Sequence, residues 1–347
     1  MAEWQEQIAP IQGHPAESAT ESIWKHNAEH PALGWGTPFH FPALQEDITV
    51  DVAIVGAGIT GITTALLLQK AGYDVAVLDA HPVGYGVSGF NSGHLTSMLL
   101  DMKYKHILAS FGEDATRSVA IALEQAIDLV ERNVREYRID CGFKRVPGYL
   151  YAELASQLKL LQADYEAAET VGLRVSRTFN VPLPFEVEEA ILVPDQAIFD
   201  PLRYVQTLAL KFYENGGLLF ENSRVVSIDT DVKREAKQED ERAACSVKTE
   251  SAIVTCKDVV LATHTPIGFR PGIQSRLEAM RSYVIGVRCA DLEKNRLDDA
   301  LYWDLAEPYH YIRLAADEHG PLVIIGGEDH KTGERQDTEL SFRRLEQ

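Results

Sequence analysis

A glycine-rich hexapeptide followed by an acidic residue is the part of this sequence whose spacing points most directly to chemistry. Gly56-Ala57-Gly58-Ile59-Thr60-Gly61 has the spacing G-x-G-x-x-G, and Asp79 follows the third glycine by 18 residues. In dinucleotide-binding units the first glycine makes the turn, the second admits a pyrophosphate, and the third lets the helix pack on the strand. An acid about 20 residues further on binds the adenosine ribose. The spacing therefore predicts a dinucleotide site made by the hexapeptide, Asp79 and the adjacent Ala80.

The residues around the hexapeptide indicate the elements that hold it. Val52-Ala53-Ile54-Val55 is an unbroken apolar run, as expected for a parallel strand that is buried on both faces. Apolar residues at helical spacing then lead to Gly72, and Val75-Ala76-Val77-Leu78 forms a second apolar run that ends at Asp79. Strand, turn, helix and strand within about 30 residues predict a right-handed βαβ unit.

The acid and the stretch after it narrow the choice of dinucleotide. A carboxylate at the ribose repels a 2′-phosphate, and Ala80-His81-Pro82 supplies no arginine, so NADP is disfavoured. Residues 81–94 hold four glycines and two serines, a backbone-rich loop that suits a bulky ring system lying close to main-chain amides. This loop favours FAD over NAD, although the hexapeptide alone fits both. Its expected cofactor contacts are Gly86, Ser88, Gly89, Asn91, Ser92, Gly93 and His94.

Composition argues against several other classes of function. The 347 residues carry a net charge of −19, which repels phosphate backbones and anionic headgroups, so we expect neither nucleic-acid binding nor membrane attachment. No apolar run reaches the roughly 18 residues of a membrane span, and the first residues are acidic where a targeting peptide is basic. The four cysteines are scattered, so neither a disulfide framework nor a metal site is expected. These features are typical of an acidic globular protein of the cytoplasm.

The length of the chain suggests about two domains. Residues 1–47 hold three of the four tryptophans and five prolines, and we interpret them as an extended arm that docks on the main body through aromatic side chains. The docking residues are expected to be Trp24, Trp35, Phe39 and Phe41. The predicted dinucleotide domain comprises residues 48–110 and 195–275, and the predicted substrate domain comprises residues 111–194 and 276–347.

Taken together, the hexapeptide, Asp79 and the loop Gly86-Val87-Ser88-Gly89-Phe90-Asn91-Ser92-Gly93 resemble the FAD-dependent oxidoreductases of the D-amino-acid oxidase and glycine oxidase type. The resemblance implies FAD as cofactor and an α/β fold. A Rossmann-like FAD-binding domain with a mostly parallel sheet would be interleaved with an α+β substrate domain on a mixed or antiparallel sheet. The further contacts that it implies are the backbone of Val225 and Val226 at the adenine, and Ala262, Thr263 and His264 where a strand turns under the cofactor.

Three segments are similar to one bacterial subgroup of that family. They are Leu95-Thr96-Ser97, Arg281-Ser282-Tyr283-Val284 and Gly326-Gly327-Glu328-Asp329-His330-Lys331-Thr332-Gly333. Proteins of the subgroup generally carry a Rieske iron–sulfur domain after the flavoprotein part, which implies an iron–sulfur electron partner. This chain lacks the paired cysteines and histidines of a Rieske centre. The family's fold continues beyond the position of Gln347, so the resemblance implies a fragment or a truncated product.

The chemistry implied by the resemblance is oxidation of a C–N bond of an amine or amino acid, by hydride transfer to flavin N5. An arginine in a bidentate pair would hold an amino-acid carboxylate. Arg281 and Arg313 are the candidates, because each lies on a predicted strand with tyrosines nearby, Tyr283 and Tyr311. His94 ends the second loop and is expected to face the flavin ring as a non-covalent neighbour.

Two other functions stay open on the residues alone. One is a flavin monooxygenase or an NAD-linked dehydrogenase, because either uses the same phosphate-binding unit. The other is not an enzyme: an inactive, truncated flavin-binding remnant, or the flavin module of an electron-transfer assembly. Bleaching of the purified protein by an amine and not by NADH would favour an amine or amino-acid oxidoreductase over these two alternatives.

Overall fold

A computed structural model describes residues 22–29, 39–99, 103–232, 244–266, 276–288, 297–317, 319–335 and 337–346. The helices are α1 (Ile23–Glu29), α2 (Ile59–Lys70), α3 (Tyr104–Tyr137), α4 (Leu158–Thr170), α5 (Pro201–Glu214) and α6 (Glu339–Leu345). The first strands are β1 (Ile48–Thr49), β2 (Val52–Val55), β3 (Val75–Leu78), β4 (His94–Leu95), β5 (Lys144–Ala152), β6 (Ser176–Thr178), β7 (Glu189–Ile198) and β8 (Leu218–Phe220). They are followed by β9 (Val225–Val232), β10 (Ala244–Thr249), β11 (Ile253–Cys256), β12 (Asp258–Leu261), β13 (Met280–Val287), β14 (Leu301–Trp303), β15 (Tyr311–Asp317) and β16 (Gly320–Lys331).

A parallel sheet of four strands, in the order β12-β2-β3-β8, carries the predicted βαβ unit. All residues of β2 and β3 are buried, which is why both strands are continuously apolar in the sequence. Helix α2 packs against β3 and α5, and Gly72 follows its C-terminus with φ of +88°. Asp200 caps α5 by accepting from the Arg203 amide at 3.0 Å, with Pro201 at the first helical position.

The second large unit is an eight-stranded mixed sheet. Its order is β13-β16-β15-β14-β5-β7-β4, and β6 pairs with β7. Within it only β14 and β5 pair in parallel among the described residues. A third sheet, β1-β11-β10-β9, has four strands. The predicted α/β class, with a parallel sheet and a separate mixed sheet, is confirmed.

The two units meet at β4, which directly follows the second glycine-rich loop. His94 and Leu95 pair with Ile198 and Ala197 of β7, so the chain enters the mixed sheet there. The predicted FAD-domain segments, residues 48–110 and 195–275, therefore contain strand residues of the mixed sheet. The sequence does not predict this, because a strand of two residues is too short to show a periodic pattern that would indicate the sheet with which it pairs.

The N-terminal arm is not wholly extended, since residues 23–29 form α1. Trp24 and Phe41 are buried, whereas Phe39 is 54% exposed. Trp35 lies outside the described residues. In the described ranges, the structure has no helix of the length and apolarity required to cross a bilayer.

Candidate cofactor and substrate site

The phosphate-binding turn has no room for side chains at two of its glycines. A Cβ on Gly61 would lie 1.8 Å from the carbonyl oxygen of Gly56, and a Cβ on Gly56 would lie 2.4 Å from that of Ala262. Gly56 also has a φ of +112°, which favours glycine. A Cβ on Gly58 would meet Ser88 Oγ at 2.9 Å. The glycines thus keep the start of α2 close to β2 and leave its backbone accessible to a pyrophosphate.

Asp79 and Ser88 lie against this turn. One carboxylate oxygen of Asp79 accepts from the Ala57 amide at 2.7 Å and the other from the His81 amide at 2.8 Å. Ser88 Oγ accepts from the Ile59 amide at 2.9 Å. The acid at the end of β3 therefore lies at the phosphate-binding turn, as the spacing predicts for a residue that binds the ribose.

Two other predicted segments adjoin the same turn. The Ser223 amide donates to the Asp79 carbonyl at 2.7 Å, which brings Ser223 next to the acid, two residues before Val225 and Val226 at the start of β9. The Ala262 amide donates to the Val55 carbonyl at 2.8 Å, so the residues after β12 pass beneath the turn. Thr263 follows Ala262, and His264 is exposed with φ of +64°. Residues distant in sequence are thus gathered around one turn.

The second glycine-rich loop is ordered by its own side chains. Asn91 Nδ2 donates to the carbonyls of Val87 and Ser88, and Asn91 Oδ1 accepts from the Gly93 amide at 2.8 Å. Gly93 has φ of +68°, which a residue with a side chain rarely adopts. These contacts therefore fix the backbone conformation of the loop up to His94.

Three aromatic residues form a wall, called here the aromatic wall, where this loop enters the mixed sheet. Its members are His94, Trp303 and Tyr311. The His94 ring lies 5.3 Å from the Tyr311 ring and 5.9 Å from the Trp303 ring, measured between centroids. Nδ1 of His94 is 2.8 Å from Ser92 Oγ. His94 Nε2 and Trp303 Nε1 are buried without a hydrogen-bond partner among the described residues. Buried polar atoms of this kind are the ones that a bound molecule can satisfy.

Burial keeps the wall uncharged. Burial, together with the nearby Arg313 guanidinium, lowers the pKa of His94 to about 3, so the imidazole is neutral at physiological pH. Burial likewise raises the pKa of Tyr311 to about 12, against a hydrogen bond with Ser282 that acts in the opposite direction. The Ser282 and Tyr311 hydroxyls lie 3.3 Å apart. The wall thus offers neutral hydrogen-bonding groups and aromatic faces.

Arg313 does not have the role that the sequence suggests. It is 4% exposed, and its Nη1 donates to the carbonyls of Ser92, Gly93 and Phe199 at 3.1, 2.6 and 3.2 Å. Its Nε donates to the Leu314 carbonyl at 3.0 Å. Because backbone oxygens surround the Arg313 guanidinium, it cannot also bind a substrate carboxylate. Arg313 instead binds the end of the second loop to Phe199, in the segment between β7 and α5.

Tyr283 and Arg281 lie away from the aromatic wall. The pairing of β13 with β16 is irregular between Arg281 and Tyr283, and Ser282 is the residue that contacts Tyr311. Tyr283 is buried on the other face, where its hydroxyl lies 2.8 Å from His330 Nε2 and its ring packs on Phe342. Arg281 pairs with His330 on that side, is half-buried, and has no ion pair with a described residue. The structure therefore brings His94 and Tyr311 together, and it places neither Arg281 nor Tyr283 beside them.

Trp303 and Glu221 are site residues that sequence reasoning missed. Trp303 is fully buried on β14, and Gly148 on β5 leaves the space for its ring. Glu221 is 1% exposed and accepts from the amides of Val83 and Phe41 at 2.7 and 3.1 Å, which ties the arm to the start of the second loop. Glu221 directly follows the run Leu218-Leu219-Phe220, a position at which an acid after a buried strand could have been noted.

In the described part of the chain no group of three or more His, Cys, Asp or Glu side chains is arranged to hold a metal ion.

Comparison with known proteins supports the cofactor site. The family model described as FAD dependent oxidoreductase (DAO) matches residues 51–347. A Bacillus subtilis protein named as a Rieske 2Fe-2S iron–sulfur protein, YhfW, is 28% identical over 335 residues, which cover 96% of this chain and 61% of that relative. Gamma-glutamylputrescine oxidoreductase of Escherichia coli is 28% identical over 331 residues, which cover 90% of this chain and 73% of that enzyme. The chain thus spans less than two thirds of YhfW.

Solved structures agree on the fold. L-Proline dehydrogenase from P. horikoshii superposes with a TM-score of 0.63 at 18% identity, over 87% of this chain and 76% of that one. At this identity the likeness extends to the fold and no further.

Proposed function

Because this chain belongs to the FAD dependent oxidoreductase (DAO) family, we propose that it oxidises a carbon–nitrogen bond of an amine or an amino acid. The protein is an FAD-dependent oxidoreductase of the amino-acid oxidase or dehydrogenase type. FAD held at the phosphate-binding turn and the second glycine-rich loop would supply the oxidation: it would take up the hydride of the substrate carbon at N5 while the substrate nitrogen loses a proton, and water would hydrolyse the imine. The observation that carries the proposal is the aromatic wall, which continues directly from the loop expected to contact the flavin.

The wall is suited to a substrate nitrogen. The neutral His94 ring has one nitrogen that donates and one that accepts, and Nε2 has no hydrogen-bond partner among the described residues, so it can pair with either an N–H or an acceptor of the substrate. Tyr311 keeps its proton and can donate or accept, while Trp303 Nε1 can only donate. The rings exclude water from one side of the reacting carbon and limit its approach to a single direction. These groups position the substrate, and none of them carries a charge that would repel an ammonium ion.

The net charge of −19 supports a cationic or zwitterionic substrate over an anionic one. The gamma-glutamylputrescine oxidoreductase similarity favours an amine. Arg281 remains a candidate for a carboxylate only if the substrate reaches the other face of β13.

Anaerobic mixing tests the proposal. The FAD-loaded protein is mixed with primary amines, secondary amines and amino acids in turn, and the flavin absorbance near 450 nm is followed. Bleaching by one of these classes and not by NADH is the expected result. Bleaching by NADH alone would favour the monooxygenase or NAD-linked dehydrogenase reading, and a protein that binds no FAD would contradict the proposal.

A second candidate concerns where the electrons go. The similarity to YhfW favours transfer to an iron–sulfur partner in place of oxygen. In that case the reduced protein should be reoxidised quickly by a one-electron acceptor such as ferricenium, and slowly by oxygen. Fast formation of hydrogen peroxide would support an oxidase instead.

A further inference from the structure

Helix α1 lies against the second glycine-rich loop, although it precedes the residues that the family model matches. Trp24 Nε1 donates to the Asn91 carbonyl at 2.6 Å, and Ser22 Oγ donates to the Gly89 carbonyl at 2.5 Å. Lys25 Nζ lies 4.2 Å from the ring centroids of both Tyr85 and Phe90. The helix therefore contacts the loop along its length by hydrogen bonds and by cation–π contacts.

Trp24 fills the space behind the last residues of the loop. It is 3% exposed and packs with Leu202, Leu322 and Ile324. A Cβ on Gly93 would meet Arg313 Nη1 at 2.6 Å and Trp24 Cζ2 at 3.2 Å. The Arg313 guanidinium carbon lies 5.4 Å from the Trp24 ring. Trp24 and Arg313 thus hold the end of the loop, and they also pack against each other.

The same helix reaches the mixed sheet. Asn27 Nδ2 donates to the Ala316 carbonyl of β15 at 3.2 Å. Tyr311 of the aromatic wall starts β15, so α1 connects the loop expected to contact the cofactor with a strand expected to contact the substrate. A seven-residue helix has little stability of its own, so its order depends on these contacts.

We propose that α1 is a positioning element of the flavin site and that Trp24 is its main positioning residue. By fixing the backbone of residues 89–93 before the cofactor binds, it lowers the conformational entropy that FAD binding must overcome. Removing the helix contacts therefore weakens FAD binding without removing any group that touches FAD.

Three variants of the full chain test this, each measured in two ways. Trp24→Ala removes the ring, Trp24→Phe keeps a ring but loses the Nε1 bond, and Leu161→Ala removes a buried side chain of α4 as a control for lost stability. FAD titration, followed by flavin fluorescence, gives the dissociation constant. Amide hydrogen exchange of the FAD-free protein reports local opening, in peptides covering residues 84–95 and 158–170.

Trp24→Ala is expected to weaken FAD binding at least tenfold and to speed exchange in residues 84–95. Trp24→Phe should weaken binding by a smaller factor, and Leu161→Ala should leave the FAD dissociation constant within twofold while speeding exchange in residues 158–170. Equal FAD affinity in Trp24→Ala and the parent, or an equal loss in Leu161→Ala, would overturn the proposal. If Trp24→Ala does not fold, Ser22→Ala tests the proposal in its place. We expect this variant to lose two- to fivefold in FAD affinity, and an unchanged affinity would contradict the proposal.

Discussion

The phosphate-binding turn, Gly56–Gly61, and the aromatic wall, His94, Trp303 and Tyr311, are connected by residues 62–93, which lead from the turn to His94, but they use different parts of the polypeptide. At the turn the missing side chains matter, because the Gly56 and Ala262 carbonyls occupy the space where a Cβ would be. At the wall the side chains matter, and they come from β4, β14 and β15. The glycine spacing of the turn is therefore visible locally, although Ala262 reaches it from the end of β12, whereas the wall depends wholly on the pairing of distant strands.

The same contrast applies to charge. The turn is associated with a half-buried carboxylate, Asp79, that accepts from backbone amides. The wall is neutral because burial keeps His94 deprotonated and Tyr311 protonated. Arg313 donates to the carbonyls of Gly93 in the second loop and of Phe199 just before α5. Cofactor binding and substrate oxidation should consequently respond to different substitutions.

The largest effect is expected at the turn. Gly61→Ala places a Cβ against the Gly56 carbonyl, which forces α2 away from β2, and FAD affinity should fall by about 100-fold or more (about 3 kcal/mol). Gly72→Ala is the matched control, since Gly72 has φ of +88° but nothing within 4 Å of its Cβ position. It should cost about 1 kcal/mol of unfolding free energy and leave FAD affinity unchanged. Equal losses of FAD affinity in a titration of both variants would show that backbone strain alone explains the turn.

Arg281 and Arg313, for which the sequence predicts the same role, should differ clearly in their effect on the free energy of unfolding. Arg313→Met leaves carbonyls of Ser92, Gly93 and Phe199 without their donor, so the free energy of unfolding should fall by about 3 kcal/mol. Arg281→Met should change it by less than about 1 kcal/mol, because Arg281 has no ion pair with a described residue. Urea denaturation of both variants measures the difference. A larger loss in Arg281→Met would contradict the assignment.

Asp200, at the junction of the two regions, should make stability depend on pH. Burial raises its pKa to about 7, against an unfolded value of about 3.9, so the folded state binds the proton more tightly. Its contribution to stability is therefore present below about pH 4 and is lost as the pH rises through about 7. Asp200→Asn keeps the cap acceptor but cannot titrate, so the parent should lose up to about 4 kcal/mol relative to this variant between pH 4 and pH 7.5. Urea unfolding curves at four pH values check this, and a constant difference would refute it.

The smallest effect concerns His94. Since burial lowers its pKa to about 3, the imidazole of the folded protein should remain neutral from pH 5 to pH 9. Its contribution to stability is present above about pH 6.5 and is lost as the pH falls towards 3, because the unfolded chain binds the proton more tightly. Nitrogen-15 chemical shifts of the histidine rings, assigned by comparison with His94→Asn, follow this directly. A His94 titration midpoint near 6.5 would mean that the ring is solvated, and the wall would then not be a dry surface.

The sequence predicts most of the turn and little of the wall, for a physical reason. A βαβ unit places its glycines, strands and acid within about 30 residues, so their spacing alone predicts that they meet. Trp303 contacts His94 only because β14 joins β5 and β15, and neither pairing leaves a local pattern. The prediction for Arg313 and Tyr283 rests on residue type and on their place on predicted strands. Which face of a strand a residue occupies depends on register, which a one-residue change reverses.

The measurement that tests the account most directly is flavin reduction in Tyr311→Phe. FAD affinity and the anaerobic rate of reduction by an active amine or amino acid are measured in the same preparation as for the parent protein. The account predicts an FAD dissociation constant within about threefold and a reduction rate at least about tenfold lower, because the variant loses one hydrogen-bonding group at the substrate. An unchanged reduction rate, or a loss confined to FAD affinity, would contradict the placement of the substrate at the aromatic wall.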